Sequence, residues 1–247
     1  MLIDGQLIPQ VEFKDLAILS KEKIEDIKKR GVVVIKNVLP EGESLAMKES
    51  LKDHIKRNSW AKGFPSLRLG SLFKTKPRNT AFPADSPAVY ELYWSSAQRA
   101  ARAHPSLIAS QCFVNSLWHS SLPSSMVNTS ESLPYADRFR IRQPGDAGFA
   151  LGAHIDGGSV ERWEDLEYSL CYEKIWTGRW EEYDPYNADH RVRAMMDLYD
   201  GAGSCGVWRS WQGWVDPPAP PLSSHLTSLL TSSSSPYQKH PLAKAPS

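Results

Sequence analysis

The polar run KEKIEDIKKR, residues 21–30, gives way at Val32 to four consecutive β-branched apolar residues ending at Ile35. Ser20 places a capping hydroxyl before the polar run and Gly31 a residue that tolerates positive φ behind it, so the pattern predicts a short helix. The branched residues favour extended chain, and Asn37 and Pro40 close the predicted strand. Met47, Leu51 and Ile55 then share one helical stripe, which predicts a second helix over residues 44–57.

Ser86 and Pro87 read as an N-cap followed by proline at the first helical position, and Tyr90, Tyr93, Trp94, Ala97 and Ala101 follow at helical spacing. This predicts a helix that ends at His104-Pro105. An amphipathic segment from Pro105 to about Trp118 turns Leu107, Val114, Leu117 and Trp118 inward. Residues 119–134, rich in Ser, Pro and Asn, predict a loop. Beyond it, Arg138-Phe-Arg-Ile-Arg142 alternates basic and apolar residues with period two, the pattern of a strand with one face on a core. Pro144-Gly145 predicts a turn and residues 148–155 the next strand, making a β-hairpin. The Trp-rich residues 206–214 read as a further strand.

With 247 residues, 41% hydrophobic and 23% charged, the chain can bury one substantial core. Its net charge of +1 hides an asymmetry: 18 Lys/Arg face 12 Asp/Glu in residues 1–120, against 8 and 15 in residues 121–200. That balance demands no concentrated basic face, so no nucleic-acid partner is expected. Arg57, Lys62, Arg68, Lys74, Lys76 and Arg78, with no acid among them, read as a solvated loop. Glu161, Glu164, Asp165 and Glu167, with Glu181, Glu182 and Asp184, read as a solvated acidic face rather than as the paired carboxylates of a hydrolase.

Cys112, Cys171 and Cys205 fit neither a zinc knuckle nor a redox pair and are expected to be reduced and mostly buried. The first ten residues hold an early acid and no apolar run, and the longest aliphatic stretch is Val32 to Ile35. The expectation is a cytoplasmic protein with no membrane partner. Without an export signal, the Asn128-Thr-Ser130 glycosylation pattern counts as chance.

His154 and Asp156 stand two apart at the end of the predicted hairpin, so on a strand both side chains project to the same side. One nitrogen and one oxygen donor suit Fe(II), Mn(II) or Zn(II) better than calcium; the ordinary alternative is a polar strand end. The stretches YADRFRIRQPGD, GFALGAHIDGGSVERWED and CYEKIWTGRWEEYDPYNADHRVRAMMDLYDGAGSC closely resemble the YbiU-like family of fungal and bacterial proteins, as do RGVVVIKNVLP and YWSSAQRAAR. The resemblance covers roughly residues 19–214. It implies a branch of the Fe(II)- and 2-oxoglutarate-dependent oxygenases, which are built on a double-stranded β-helix, or jelly roll. It makes His154 and Asp156 metal ligands, 2-oxoglutarate the co-substrate, and an unknown small molecule the substrate to be hydroxylated. It also implies a third histidine, followed by a basic co-substrate anchor, on a strand much later in the chain.

The familial pattern continues to Trp214 and stops. Residues 216–247 hold 7 Pro, 8 Ser and only three charges, and are expected to form a disordered tail. The chain is thus expected to be α+β, with a helical N-terminal layer packed on an incomplete jelly-roll sheet. A single oxygenase-like domain would cover residues 1–215, truncated at its C-terminal end. His190 reads as a surface or helix-start residue, and His225 and His240 as solvated; none has the strand-like surroundings of a third ligand. Arg138, Arg140 and Arg142 share a strand face that suits guanidinium forks on a dicarboxylate, with a basic face meeting acid or water as the alternative. Arg209 and Gln212 are further candidates to line the pocket. An incomplete metal triad implies impaired oxygenase activity. The rival readings are a non-catalytic remnant or small-molecule-binding protein and, more distantly, a cupin-like Zn(II) or Mn(II) hydrolase or isomerase.

Overall fold

The structure, a computed structural model, describes residues 8–58, 81–82, 89–123, 127–134, 136, 138–140, 161–195, 197–199, 206–216 and 227–232. It divides into two compact units: residues 1–38, 108–132 and 153–247, and residues 39–107 and 133–152. The fold is a mixture of short helices and two small sheets, neither closed among the described residues. No described helix is long and apolar enough to cross a membrane.

In the first unit, strand β1 (Gln10–Glu12) leads through a 3-10 turn, Phe13–Ile18, to helix α1 (Lys21–Arg30) and strand β2 (Val32–Lys36). The predicted caps are in place. The Ser20 hydroxyl accepts from the Lys23 N–H at 3.3 Å. Gly31 takes φ 66° and donates to the Ile27 carbonyl at 2.9 Å, a left-handed stop that a side chain would strain. Alternation along β2 buries Val33 and Ile35 completely, and Ile27 of α1 is equally buried.

The sheet of this unit runs β1-β2-β7-β6, with β6 at Trp211–Asp216 and β7 at Thr227–Ser232. β1 is parallel to β2, whereas β7 runs antiparallel to both its neighbours, pairing Val34 and Trp214 with Leu229. This differs from the expected tail over residues 216–247: Asp216 closes one strand, and Thr227–Ser232 is a central one. Its sequence explains the difference. Residues 222–235 contain no proline and no acid, Lys or Arg, so every backbone N–H of β7 is available to the ladders on both sides. The other residues beyond Asp216 lie outside the described ones.

Helix α4 (Pro105–Asn115) ends in the first unit, where Val114, Leu117 and Trp118 are buried as the amphipathic pattern predicts. Its end is tied to the start of β6: the Trp211 indole donates to the Val114 carbonyl at 2.8 Å and the Ser210 hydroxyl to Asn115 Oδ1 at 2.7 Å.

The second unit contains helix α2 (Glu41–Arg57), strands β3 (Ala81–Phe82) and β4 (Val89–Tyr90), helix α3 (Ser96–Arg102) and strand β5 (Phe139–Arg140). α2 starts three residues before its predicted start, with Glu41 and Glu43 in the first turn, where acids complement the helix dipole. The helix predicted from Ser86 forms only in its second half. Ser95 is the true N-cap: its hydroxyl accepts from the Gln98 N–H at 3.3 Å, while Gln98 Oε1 accepts from the Ser95 N–H at 3.1 Å. This reciprocal capping box fixes the start of α3 and frees Val89-Tyr90, a pair with high β propensity, to join the sheet. Tyr90 stacks on Phe139 with centroids 5.0 Å apart and packs with Ile55 and Leu92. Trp94, expected on the inward stripe, is 70% exposed and lies under the Arg102 guanidinium at 5.4 Å. Ser86, Pro87, the predicted hairpin at residues 144–155 and most of the basic stretch at 57–78 lie outside the described residues. Cys112 and Cys171 are free thiols, half-buried.

Replacing Ser95 by Ala removes the cap hydroxyl and leaves the Gln98 N–H without its acceptor. The expected loss is about 1 kcal/mol of unfolding free energy, read as a lower denaturant midpoint at unchanged slope; a change within error would assign the start of α3 to packing instead.

Candidate functional site

Strand β5 positions Arg140 opposite Val89 of β4, with Phe139 opposite Tyr90. Phe139 is half-buried on the Tyr90 ring, whereas Arg138 and Arg140 are exposed, so the predicted alternation places the guanidinium groups on the outer side. Arg209 is half-buried two residues before β6 and belongs to the other unit; Gln212, within β6, is exposed. His154, Asp156 and Arg142 lie outside the described residues.

Among the described residues no three His, Cys, Asp or Glu side chains gather closely enough to hold a metal ion. Three histidines are instead engaged by single carboxylates. His104 Nε2 lies 3.4 Å from Glu43, His119 Nε2 3.2 Å from Asp184, and His190 Nδ1 2.9 Å from Glu167. His190 is the second residue of helix α8 (Asp189–Arg193), the helix-start position its sequence suggests.

The densest chemistry of the first unit surrounds the next residue, Arg191, which sequence reasoning passed over. Helices α5 (Glu161–Glu164) and α6 (Leu166–Ser169) lead through a 3-10 turn, Leu170–Tyr172, to α7 (Glu173–Trp176). Asp165 caps α6 by accepting from the Tyr168 N–H at 2.6 Å. Tyr168 and Tyr172, four apart, thereby turn to one side and pack with Tyr183 and Ala194. Arg191, 1% exposed, enters this cluster from α8. Its guanidinium donates to the Tyr183 hydroxyl at 2.9 Å and to the Asn187 carbonyl, and lies 5.4 Å from the Trp118 ring centroid and 5.9 Å from that of Tyr168. Arg162, 2% exposed, covers Tyr168 at 5.6 Å. The members of this cluster come from stretches far apart in the chain, so no local pattern pointed to it.

Burial raises the Tyr168 hydroxyl to about 12 and pushes Tyr183 and the Cys171 thiol upward as well, so these groups stay neutral near pH 7. Three buried donors of the same region have no acceptor: Nε of Arg191 and Nε1 of Trp118 and Trp208. Each such group costs about 1–3 kcal/mol.

A polar strap holds this cluster at one side. The His119 N–H donates to the Tyr186 carbonyl at 3.0 Å and the Ala188 N–H to the His119 carbonyl at 2.9 Å. Asp189 then accepts from the Ser120 hydroxyl and, at 3.0 Å, from the Ser121 N–H. Burial alone would raise the Asp189 carboxyl; hydrogen bonds from Ser120, Ser121 and Asn187 outweigh it and hold the carboxyl below its usual range.

Residues 3–217 match the family described as Gig2-like. The chain belongs to the Gig2-like family. This Gig2-like chain is 34% identical over 200 residues to the Uncharacterized protein YbiU of Escherichia coli (strain K12), covering 80% of this chain and 45% of YbiU. The crystal structure of GlcNAc Inducible Gene 2 from Candida albicans superposes with TM-score 0.67 at 29% identity, over 84% of this chain and 41% of that one. The structure named "Putative Oxidoreductase" from Salmonella typhimurium LT2 superposes with TM-score 0.69 at 32% identity, over 85% and 50%. The YbiU-like resemblance of the sequence is thus shown, and the Gig2-like chain spans about half the length of these relatives. His154, Asp156, Arg140, Arg142, Arg209 and the Arg191 cluster all fall inside the matched residues.

The strap gives a pH dependence of defined sign. The Asp189 carboxyl titrates lower in the folded than in the unfolded chain, where it takes its ordinary value of about 3.9. Its contribution is therefore complete above that value and is lost as the pH falls through the folded value. The stability gap between wild type and Asp189→Asn, measured by urea unfolding, should be present at pH 6 and shrink towards pH 3; a gap independent of pH would show that the carboxylate charge plays no part.

Proposed function

We propose that this Gig2-like chain carries part of an Fe(II)- and 2-oxoglutarate-dependent oxygenase, with His154 and Asp156 as two protein ligands of the metal. The observation that carries the reading is the His-x-Asp pair inside the family match, supported by the name "Putative Oxidoreductase" borne by a solved neighbour at 32% identity. The chemistry of the donors fits the ion: one imidazole and one carboxylate, two apart, form two thirds of the facial set that non-haem Fe(II) prefers. Among the described residues, His104, His119 and His190 each face one carboxylate, and no described histidine belongs to a group of three metal-donor side chains.

In this reading the scaffold is a double-stranded β-helix and the substrate a small molecule. The bound metal supplies activation of O₂, coupled to oxidative decarboxylation of the co-substrate. The chain's own part is to hold and orient. Arg140, Arg142 and Arg209 are the candidate anchors for the co-substrate carboxylates, since a planar guanidinium matches a carboxylate in two parallel hydrogen bonds. Arg138 and Arg140 are exposed on one side of β5. A second reading, a binding protein without turnover, is favoured by His190, which follows Asp156 in the chain but faces Glu167 from the start of α8 instead of standing on a strand.

Anaerobic Fe(II) titration of the full chain, followed by succinate release in air with 2-oxoglutarate, tests the proposal. Wild type should bind one Fe(II), and His154→Ala and Asp156→Ala should each weaken binding by more than about 100-fold, because even outer partners of a metal ligand cost about 10- to 100-fold. Metal binding with succinate release identifies an oxygenase; metal binding without it identifies the second reading. Equal iron binding by wild type and both variants would remove the assignment altogether.

A further inference from the structure

Trp118, Trp208 and Arg191 form one connected group. The two indoles meet edge to face with centroids 4.9 Å apart, and the Arg191 guanidinium lies 5.4 Å over Trp118. Trp118 is 2% exposed and Arg191 1% exposed. Each of the three presents a buried N–H with no acceptor: both indole Nε1 atoms and the guanidinium Nε. Native interiors hold only a few such atoms per hundred residues, and each one calls for an explanation.

The charge balance points the same way as the hydrogen bonding. Arg191 is bonded to a phenol and a carbonyl, neither of which carries negative charge. Of the described carboxylates on α6 and α8, Glu167 faces His190 and Asp189 accepts from Ser120 and Ser121. Among the described residues, the Arg191, Trp118 and Trp208 group has no acceptor with negative charge and more than one oxygen.

We propose that this cluster is a binding site for a small oxyanion, held by the Arg191 guanidinium and flanked by the indole N–H groups of Trp118 and Trp208. A carboxylate or a phosphate satisfies both needs, since either offers several acceptor lone pairs in charge-assisted hydrogen bonds. The site is independent of the metal reading: it uses neither His154 nor Asp156.

The test titrates the full chain with succinate in one arm and inorganic phosphate in the other, each against chloride at matched ionic strength. Thermal midpoint and tryptophan fluorescence are the readouts. A saturable shift is expected in at least one arm, and the arm that responds names the anion class. Arg191→Lys keeps the charge but loses the planar fork and should weaken binding about tenfold or more. Trp208→Phe removes one donor with little change of shape and should weaken it several-fold, while circular dichroism reports an intact fold. Absence of a saturable shift in both arms overturns the proposal. So does an affinity that is unchanged in both variants, an outcome that places any bound anion elsewhere.

Discussion

A guanidinium that is 1% exposed has given up its water, and the groups around Arg191 are arranged as partial replacements for it. The Tyr183 hydroxyl and the Asn187 carbonyl accept two of its hydrogen bonds, and the rings of Trp118 and Tyr168 offer their electron-rich faces. Desolvating such a charge costs several kcal/mol unless its partners are well placed, so these partners cannot move independently. The end of α4, helix α6 and helix α8 are thereby brought into register through one side chain. The tyrosines are suited to this task because burial keeps them protonated and their hydroxyls retain a polar end inside an aromatic wall.

The backbone around this cation is held by pairings across large sequence separations. Residues 119–121 lie along residues 186–189 through the His119–Asn187 bridge, the Ser121 N–H on Asp189, and the Asn187 amide, which donates to the Ser121 hydroxyl at 3.1 Å. Asn187 acts twice more in the same turn: its Oδ1 accepts from the Asp189 N–H at 2.8 Å, and its carbonyl accepts from Arg191. The turn before α8 is thus fixed from its side chains inward, which lets a five-residue helix, too short to persist by itself, present its arginine in one orientation.

Legibility in the sequence follows the range of the interactions. α1 and β2 were readable because Ser20, Gly31 and the branched run Val32–Ile35 act over neighbouring residues. α4 was readable because its apolar stripe is local. The start of α3 was misread because Tyr90, Tyr93 and Trp94 happen to fall at helical spacing, while the capping box at Ser95 and the pairing of Tyr90 with Phe139, forty-nine positions away, decide the outcome. β7 was hidden for the same reason: its ladders join it to β2, almost two hundred residues earlier, and composition alone describes its proline-rich surroundings. Of the candidate site, the His154-x-Asp156 motif and the outward basic face of β5 were legible as local patterns. The Arg191 cluster was not, because its members come from residues 118, 168, 183 and 191, and nothing in any single stretch signals their meeting.

Arginine serves this chain in two physically different ways. Arg138 and Arg140 are exposed on β5, the strand whose Phe139 stacks on Tyr90, and an ion pair formed there returns little, because water screens the attraction. Arg191 and Arg162 are the opposite case: their desolvation is already complete in the folded chain, and the dielectric around them is low. An acceptor that reaches such a group meets a field set up in advance, with no further reorganisation of the donor. The same burial that makes the guanidinium costly to the fold makes any acceptor that reaches it count for more than one at the surface.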